Sequence, residues 1–421
     1  MLGETARSST GSIGLAVTAL FPPIGALLCG VPCSIALPAS PQDALVRAFA
    51  RLPATGNLVA QIERGARVKA GGLWGASSAL LLTVLRRAQE KDQHLLILTA
   101  DDVDSLQLQT DLAAFGTASR VLIREEEDDD GVPDAATRSA RQRAIQQFAA
   151  DGAPLLASVE AMLQPIVTPR GLRRSQLDLV VGQQLDRAQI LQRAQAAGMR
   201  SVPLVIAPGE CSVRGDVVDV FPMGSEDALR LEFFDDTLES IRSFDAASQR
   251  TTEVHERFSL ALAEQDEGEV GPVLKHLTPS RTWVVQYEQL RIDERTARLS
   301  NFDGAFAPRL QRLQDALRPC AGLELSSLPS HEYDYKVLSA GSAVGSGETD
   351  PAGRLRSVRG LSGRVLLFCR SDDERERLRE IFSNKQVDLG EERVELLDGA
   401  ISKGFRIPDL KTTALSHVEF A

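Results

Sequence analysis

The sequence predicts an α/β protein: a doubly wound parallel sheet, interrupted by an α+β unit and followed by a smaller α/β unit. Three observations carry this. Short apolar runs alternate with helical patterns through residues 41–157 and again at 251–330, the rhythm of parallel strands joined by crossover helices. Between 158 and 250 that rhythm gives way to strand patterns alternating between apolar and polar positions. Beyond a stretch at 326–363 that is rich in Ser, Gly and Pro and reads as a linker (331–363 at its narrowest), one more strand–helix–strand pattern occupies 364–421.

Taken in order, Ser40-Pro41 is a helix start, with an N-cap and a proline in the first turn, and ALVRAFARL continues it with helical spacing. RVKAGGLWG reads as a short strand ending in a glycine turn. SSALLLTVLRRAQE is a helix and HLLILTA a buried strand. DDVDSLQLQTDLAAFG is a helix opened by aspartates and closed by Gly116, and SRVLIR is another strand. The acidic run Glu125–Asp130 repels itself and reads as a solvated surface loop. A helix over Asp134–Ala150 and the strand PLLASV follow. In the second block QLDLVVGQ is a strand, DRAQILQRAQAAG a helix, and Asp235-Asp236 the turn of a hairpin. TWVVQYE is a buried strand of the returning block; GRVLLFC, DDERERLREIF and RVELLDG form the last β–α–β pattern, with LSHVEF as a final strand.

Composition narrows the function classes. A formal net charge of -11 argues against a non-specific grip on nucleic acid, which needs clustered Lys and Arg. Five scattered cysteines, an odd count, do not form a disulfide framework, and the Cys29/Cys33 pair lacks the further ligands of a metal site. Free thiols in a reducing cytoplasm are the expectation. Residues 8–42 carry no charge. They read as a disordered or mis-started leader; a signal peptide or anchor is the alternative, although Pro22, Pro23 and Pro32 spoil a spanning helix.

Catalytic patterns are missing. Gly72-Leu73-Trp74-Gly75-Ala76-Ser77-Ser78 sits between a strand and a helix, where a P-loop would lie, but Ala76 stands where the phosphate-binding lysine is required. The turn reads as a degenerate nucleotide site (Gly72, Gly75, Ala76, Ser77) that packs a helix on a sheet. Glu288, at the end of TWVVQYE, is a single acid where a magnesium site uses two, and reads as a surface residue. No HExxH, GxSxG or paired CxxC pattern occurs, and the five histidines are scattered. No cofactor, metal site or enzymatic activity is expected.

One row of residues stands out. In LRLEFF, Leu229, Leu231 and Phe233 suit a core face, so Arg230, Glu232 and Phe234 face solvent. Pattern alone leaves two readings open: Phe234 is a protein-binding anchor beside an arginine, or it is covered by another element of its own chain. Arg214 lies on the preceding strand with its face unsettled, and could pair with Asp216 or Glu232.

RGD–FPMGSE–LRLEFFDD–ESIRSFD–QRT, over about forty residues from Arg214, resembles the UvrB-like interaction domain of the excision-repair helicase UvrB and the transcription-repair coupling factor (Mfd) family. Ala76, the short path from Gly116 to Pro154, and KGFRIPDLKTTALSHVEF make the likeness closer to the coupling factors. The resemblance implies a degenerate RecA-like domain split around a UvrA-binding domain (158–250). It implies UvrA contacts at Arg214, Arg230 and Phe234. It also implies a cytoplasmic, non-catalytic adaptor in nucleotide excision repair, with RNA polymerase and DNA reached only through domains beyond this chain. The leader has no counterpart in the family. Two alternatives stay open: part of an ATP-dependent DNA translocase whose motor lies elsewhere, and a structural remnant without a partner.

Overall fold

A computed structural model of the chain describes residues 40–90, 92–125, 135–262, 270–302, 304–341, 363–384, 394–416 and Glu419. The leader at 1–39 with Cys29 and Cys33, residues 126–130 of the acidic run, and 342–362 of the expected linker lie outside the described residues.

Seven strands form a parallel sheet in the order Tyr333–Asp334, Arg67–Gly71, Ala321–Leu325, Thr282–Tyr287, His94–Thr99, Leu155–Ser158, Arg120–Leu122. The expected α/β class with a parallel sheet is therefore present. Its central strands His94–Thr99 and Leu155–Ser158 are apolar on both faces because both faces are covered. Leu95 and Ile97 join a core with Leu45, Phe49, Leu80 and Leu112, while Leu96 and Leu98 join another with Ile145, Phe148 and Phe306. Local chemistry fixes the helix starts. Ser40 Oγ accepts the Asp43 N–H at 3.1 Å and Asp101 Oδ1 the Asp104 N–H at 2.9 Å, caps that each contribute about 1 kcal/mol. Pro53–Glu63 is a further helix that the pattern reading did not separate; it buries Leu58 and Ile62.

The second block is an antiparallel sheet in the order Thr251–His255, Thr237–Phe244, Ala228–Phe234, Val217–Phe221, Glu210–Arg214, with the two-residue strand Arg200–Ser201 added in parallel at the edge. Asp235-Asp236 makes the expected turn: Phe234 faces Thr237 across it, and Asp235 adopts φ +54°. Helix Arg187–Ala196 and the pair Gln176–Val180/Arg257–Ala261 share a core with one face of this sheet through Ile190, Leu179 and Leu260. The boundary read at 250 thus falls inside this unit, because the strand at 251–255 and its successor both pair within it.

Strands Leu338–Ser339, Phe405–Ile407, Thr412–Ser416, Arg364–Cys369 and Val394–Asp398 form the last sheet in that order. The final described strand, Thr412–Ser416, takes in the first two residues of LSHVEF; His417, Val418 and Phe420 of that expected strand lie outside the described residues. Residues 326–341 are not a linker. They supply one strand to each of two sheets and bury Tyr335, Val337 and Ala340, apolar residues that a solvated linker would not hide. Leu366, Phe368, Phe405 and Ile407 lie in the same core as the parallel sheet's first face, with the Phe115 ring edge-on to Phe368 at 5.7 Å. Among the described residues no helix is long and apolar enough to cross a membrane.

Candidate functional site

The alternation read in LRLEFF is the alternation found. Leu229, Leu231 and Phe233 are buried, Arg230 and Glu232 are half-exposed, and Phe234 is 71% exposed. No element of the described chain covers its ring. Cross-strand register places Ser212, Asp219, Arg230, Arg242 and Val254 in one row on this outer face.

Asp219 organises the row. Its side chain is 1% exposed and its carboxylate accepts three charge-assisted bonds. Arg230 Nε donates to Oδ1 at 2.7 Å and Arg230 Nη2 to Oδ2 at 2.9 Å, a bidentate fork; Arg214 Nη2 donates to the same Oδ2 at 2.7 Å. Gln249 Oε1 accepts a second bond from Arg230 Nη2 at 3.1 Å, and the Arg230 guanidinium lies 4.4 Å from the Phe244 ring centre. The hydrogen bond to Asp219 pushes the Arg230 pKa further up. Neither partner considered for Arg214 is used. Asp216 takes Arg187 at 2.5 Å and Glu232 takes Arg242 at 3.0 Å, because Asp219 is the acid whose strand position faces both arginines.

One end of this face is closed by a small second core of Val205, Phe221, Ala228, Phe244 and Ala246. The other end is open and carries Phe234, while Val254, 68% exposed, sits where the row reaches the edge strand. The arrangement is a preorganised surface: two guanidiniums held in fixed rotamers by a buried carboxylate, on the same sheet face as an uncovered aromatic. Asp219 was missed in the sequence. Its signal is the single acid in VVDVF, an otherwise wholly apolar strand.

The glycine turn occupies the expected place between strand Arg67–Gly71 and helix Ser77–Ala88. Gly75 has φ +59°, and a Cβ there would lie 2.6 Å from the Lys403 carbonyl oxygen. That carbonyl accepts the Ala76 N–H at 3.1 Å. Ala76 is fully buried, and Ser77 Oγ is spent on the Trp74 carbonyl at 2.8 Å. Gly72, at φ +68°, abuts Asp334 and Lys336. Next to Lys403, the Ser402 N–H and Oγ donate to the two Asp111 oxygens at 2.6 and 2.7 Å. Burial raises that carboxyl's pKa to about 6. Glu288 is half-buried rather than on the surface. Its carboxylate accepts from the Ser327 N–H at 2.9 Å, and burial raises its pKa. The described residues hold no group of three or more His, Cys, Asp or Glu able to bind a metal.

Residues 177–265, which include this antiparallel sheet, match the family model of the UvrB interaction domain. Over up to about half of the chain the likeness is to transcription-repair-coupling factors, whose UvrB-like region this chain resembles. It is 33% identical over 224 residues to that of Myxococcus xanthus (49% of this chain, 18% of the relative). It is 29% identical over 208 residues to that of Escherichia coli strain K12 (48% and 18%), and 40% identical over 96 residues to that of Haemophilus influenzae (23% and 8%). The matched part thus spans less than a fifth of each relative's length.

Proposed function

We propose that this region is a non-catalytic adaptor in transcription-coupled nucleotide excision repair, docking UvrA through Arg214, Arg230 and Phe234. The observation that carries the reading is the 71% exposure of Phe234 on the face where Asp219 fixes both arginines. Anchors at protein interfaces are enriched in aromatics and arginine, and rigid ones lose little freedom on binding. The match to the UvrB interaction domain supports UvrA as the partner. The parallel sheet is read as a RecA-like sheet whose glycine turn no longer serves nucleotide. Ala76 brings no charge to the turn, and its amide is engaged by Lys403. RNA polymerase and DNA are assigned to other segments of full-length relatives. The setting is cytoplasmic.

The test is a calorimetric titration of the chain against UvrA, with Arg230→Ala and Phe234→Ala alongside. Each variant is expected to lose about 2 kcal/mol or more of binding, roughly 30-fold. Wild-type affinity in Phe234→Ala would remove the docking assignment.

A further inference from the structure

Strands Arg67–Gly71, Ala321–Leu325, Thr282–Tyr287 and His94–Thr99 run parallel and side by side, so their C-terminal ends share one edge of the sheet. Each end is followed by an exposed large apolar side chain: Trp74, Leu328, Leu290, and Val103 with Leu106. Ordinary surfaces scatter such residues singly, whereas a row of them along one edge marks a docking surface. In open α/β sheets this is also the edge at which ligands gather.

Leu290 and Leu328 line a groove of about 680 Å³ together with Ala70, Leu325 and Pro329. They are 64% and 55% exposed, yet neither stands on loose backbone. The 328–332 segment is tied to the neighbouring strand. The Gly72 N–H donates to the Leu328 carbonyl at 2.8 Å, Ser330 Oγ to the Lys69 carbonyl at 3.2 Å, and the Lys69 N–H to Glu332 Oε2 at 2.7 Å. Leu290 lies in the first turn of helix Gln289–Phe302, which is seated by the buried Ile292. Apolar anchors displayed on fixed backbone lose little freedom on binding.

Charge selects the occupant. Asp293, Glu324 and Glu332 line the same groove, against Lys69 and His331. Glu324 takes the Lys69 ammonium at 2.6 Å. Asp293 receives only the neutral Gln289 amide and Glu332 only a backbone N–H, so both carboxylates lack an ion pair among the described residues. A phosphate-bearing ligand would be repelled there, and an uncharged apolar segment would leave both acids unanswered. Cations set beside aliphatic side chains answer the acids and the leucines together. We propose that this groove docks a basic amphipathic segment of a protein partner, with aliphatic side chains between Leu290 and Leu328 and a lysine or arginine against Asp293 and Glu332. The site lies on the parallel sheet and is independent of the UvrA docking face.

The probe is a fluorescein-labelled amphipathic peptide built of leucine and lysine, titrated into the full chain by anisotropy at about 150 mM salt, with its leucine–glutamate counterpart alongside. Expected is saturable binding of the lysine peptide with Kd below about 100 μM. Affinity should fall at least about tenfold in the double variant Leu290→Ser, Leu328→Ser and in Asp293→Lys, exposed positions whose change leaves the cores intact, and stay unchanged in Phe234→Ala. No saturable binding, equal binding of the glutamate peptide, unchanged affinity in either groove variant, or an equal loss in Phe234→Ala would each overturn the proposal. So would a concentration-dependent dimer in sedimentation that Leu290→Ser abolishes, which would assign the groove to a second copy of this chain.

Discussion

Replacing Asp219 by alanine is expected to loosen the antiparallel sheet and the docking row together. The carboxylate is 1% exposed and receives three hydrogen bonds from two guanidiniums. Removing one partner of a fully buried pair costs about 3–5 kcal/mol, whereas an exposed pair contributes about 0–1. Arg230, 21% exposed, lies near the first case; Arg214, 47% exposed, near the second. The Arg230 fork therefore dominates, and a loss of about 2–3 kcal/mol follows. Global unfolding of a chain with several cores is not a clean two-state measure. Native-state hydrogen exchange of the Val217–Phe221 and Ala228–Phe234 amides is, and should accelerate about 30- to 150-fold. Met at position 230 in the Asp219→Ala background should recover part of the loss by removing the stranded guanidinium. Unchanged exchange in Asp219→Ala would show that the clamp is not what orders these strands.

Three further outcomes are expected. Gly75→Ala places a Cβ 2.6 Å from the Lys403 carbonyl at φ +59° and should cost about 1–3 kcal/mol, read as faster exchange around 399–404; wild-type exchange would contradict the contact. With Asp111 raised from 3.8 to about 6, the folded chain holds a proton that the unfolded chain releases. Its contribution to stability is complete below about pH 3.8 and falls away as pH rises through 6, on the order of 3 kcal/mol in all, so Asp111→Asn should flatten that window of the stability–pH curve. Cys211, Cys320 and Cys369 are buried, and burial raises each thiol's pKa, that of Cys369 to about 11; none should react promptly with an alkylating agent before unfolding.

Strand and helix positions were legible where burial imposes a period. HLLILTA has to be a strand covered on both sides, and LRLEFF announces which residues face out. Caps such as Ser40 and Asp101 were legible because their hydrogen bonds are local. What stayed hidden depends on strand register or on partners distant in sequence. Arg214 meets Asp219 because two strands lie in one register, and residue spacing along the chain does not display that choice. Residues 326–341 look like a linker by composition, yet Tyr335 and Val337 are buried by packing that Gly- and Ser-rich neighbours do not forecast. Lys403, more than three hundred residues from Ala76, carries no local sign that its carbonyl completes the glycine turn.

The occupied glycine turn also ties together two stretches that lie far apart along the chain. A longer side chain introduced at position 76 would enter a fully buried site whose own amide already donates to the Lys403 carbonyl. Making room for it means displacing the 399–404 segment, whose Ile401 belongs to the shared core and whose Ser402 holds Asp111. Variation at position 76 is therefore answerable to residues more than three hundred positions away, and the two stretches can change freely only together.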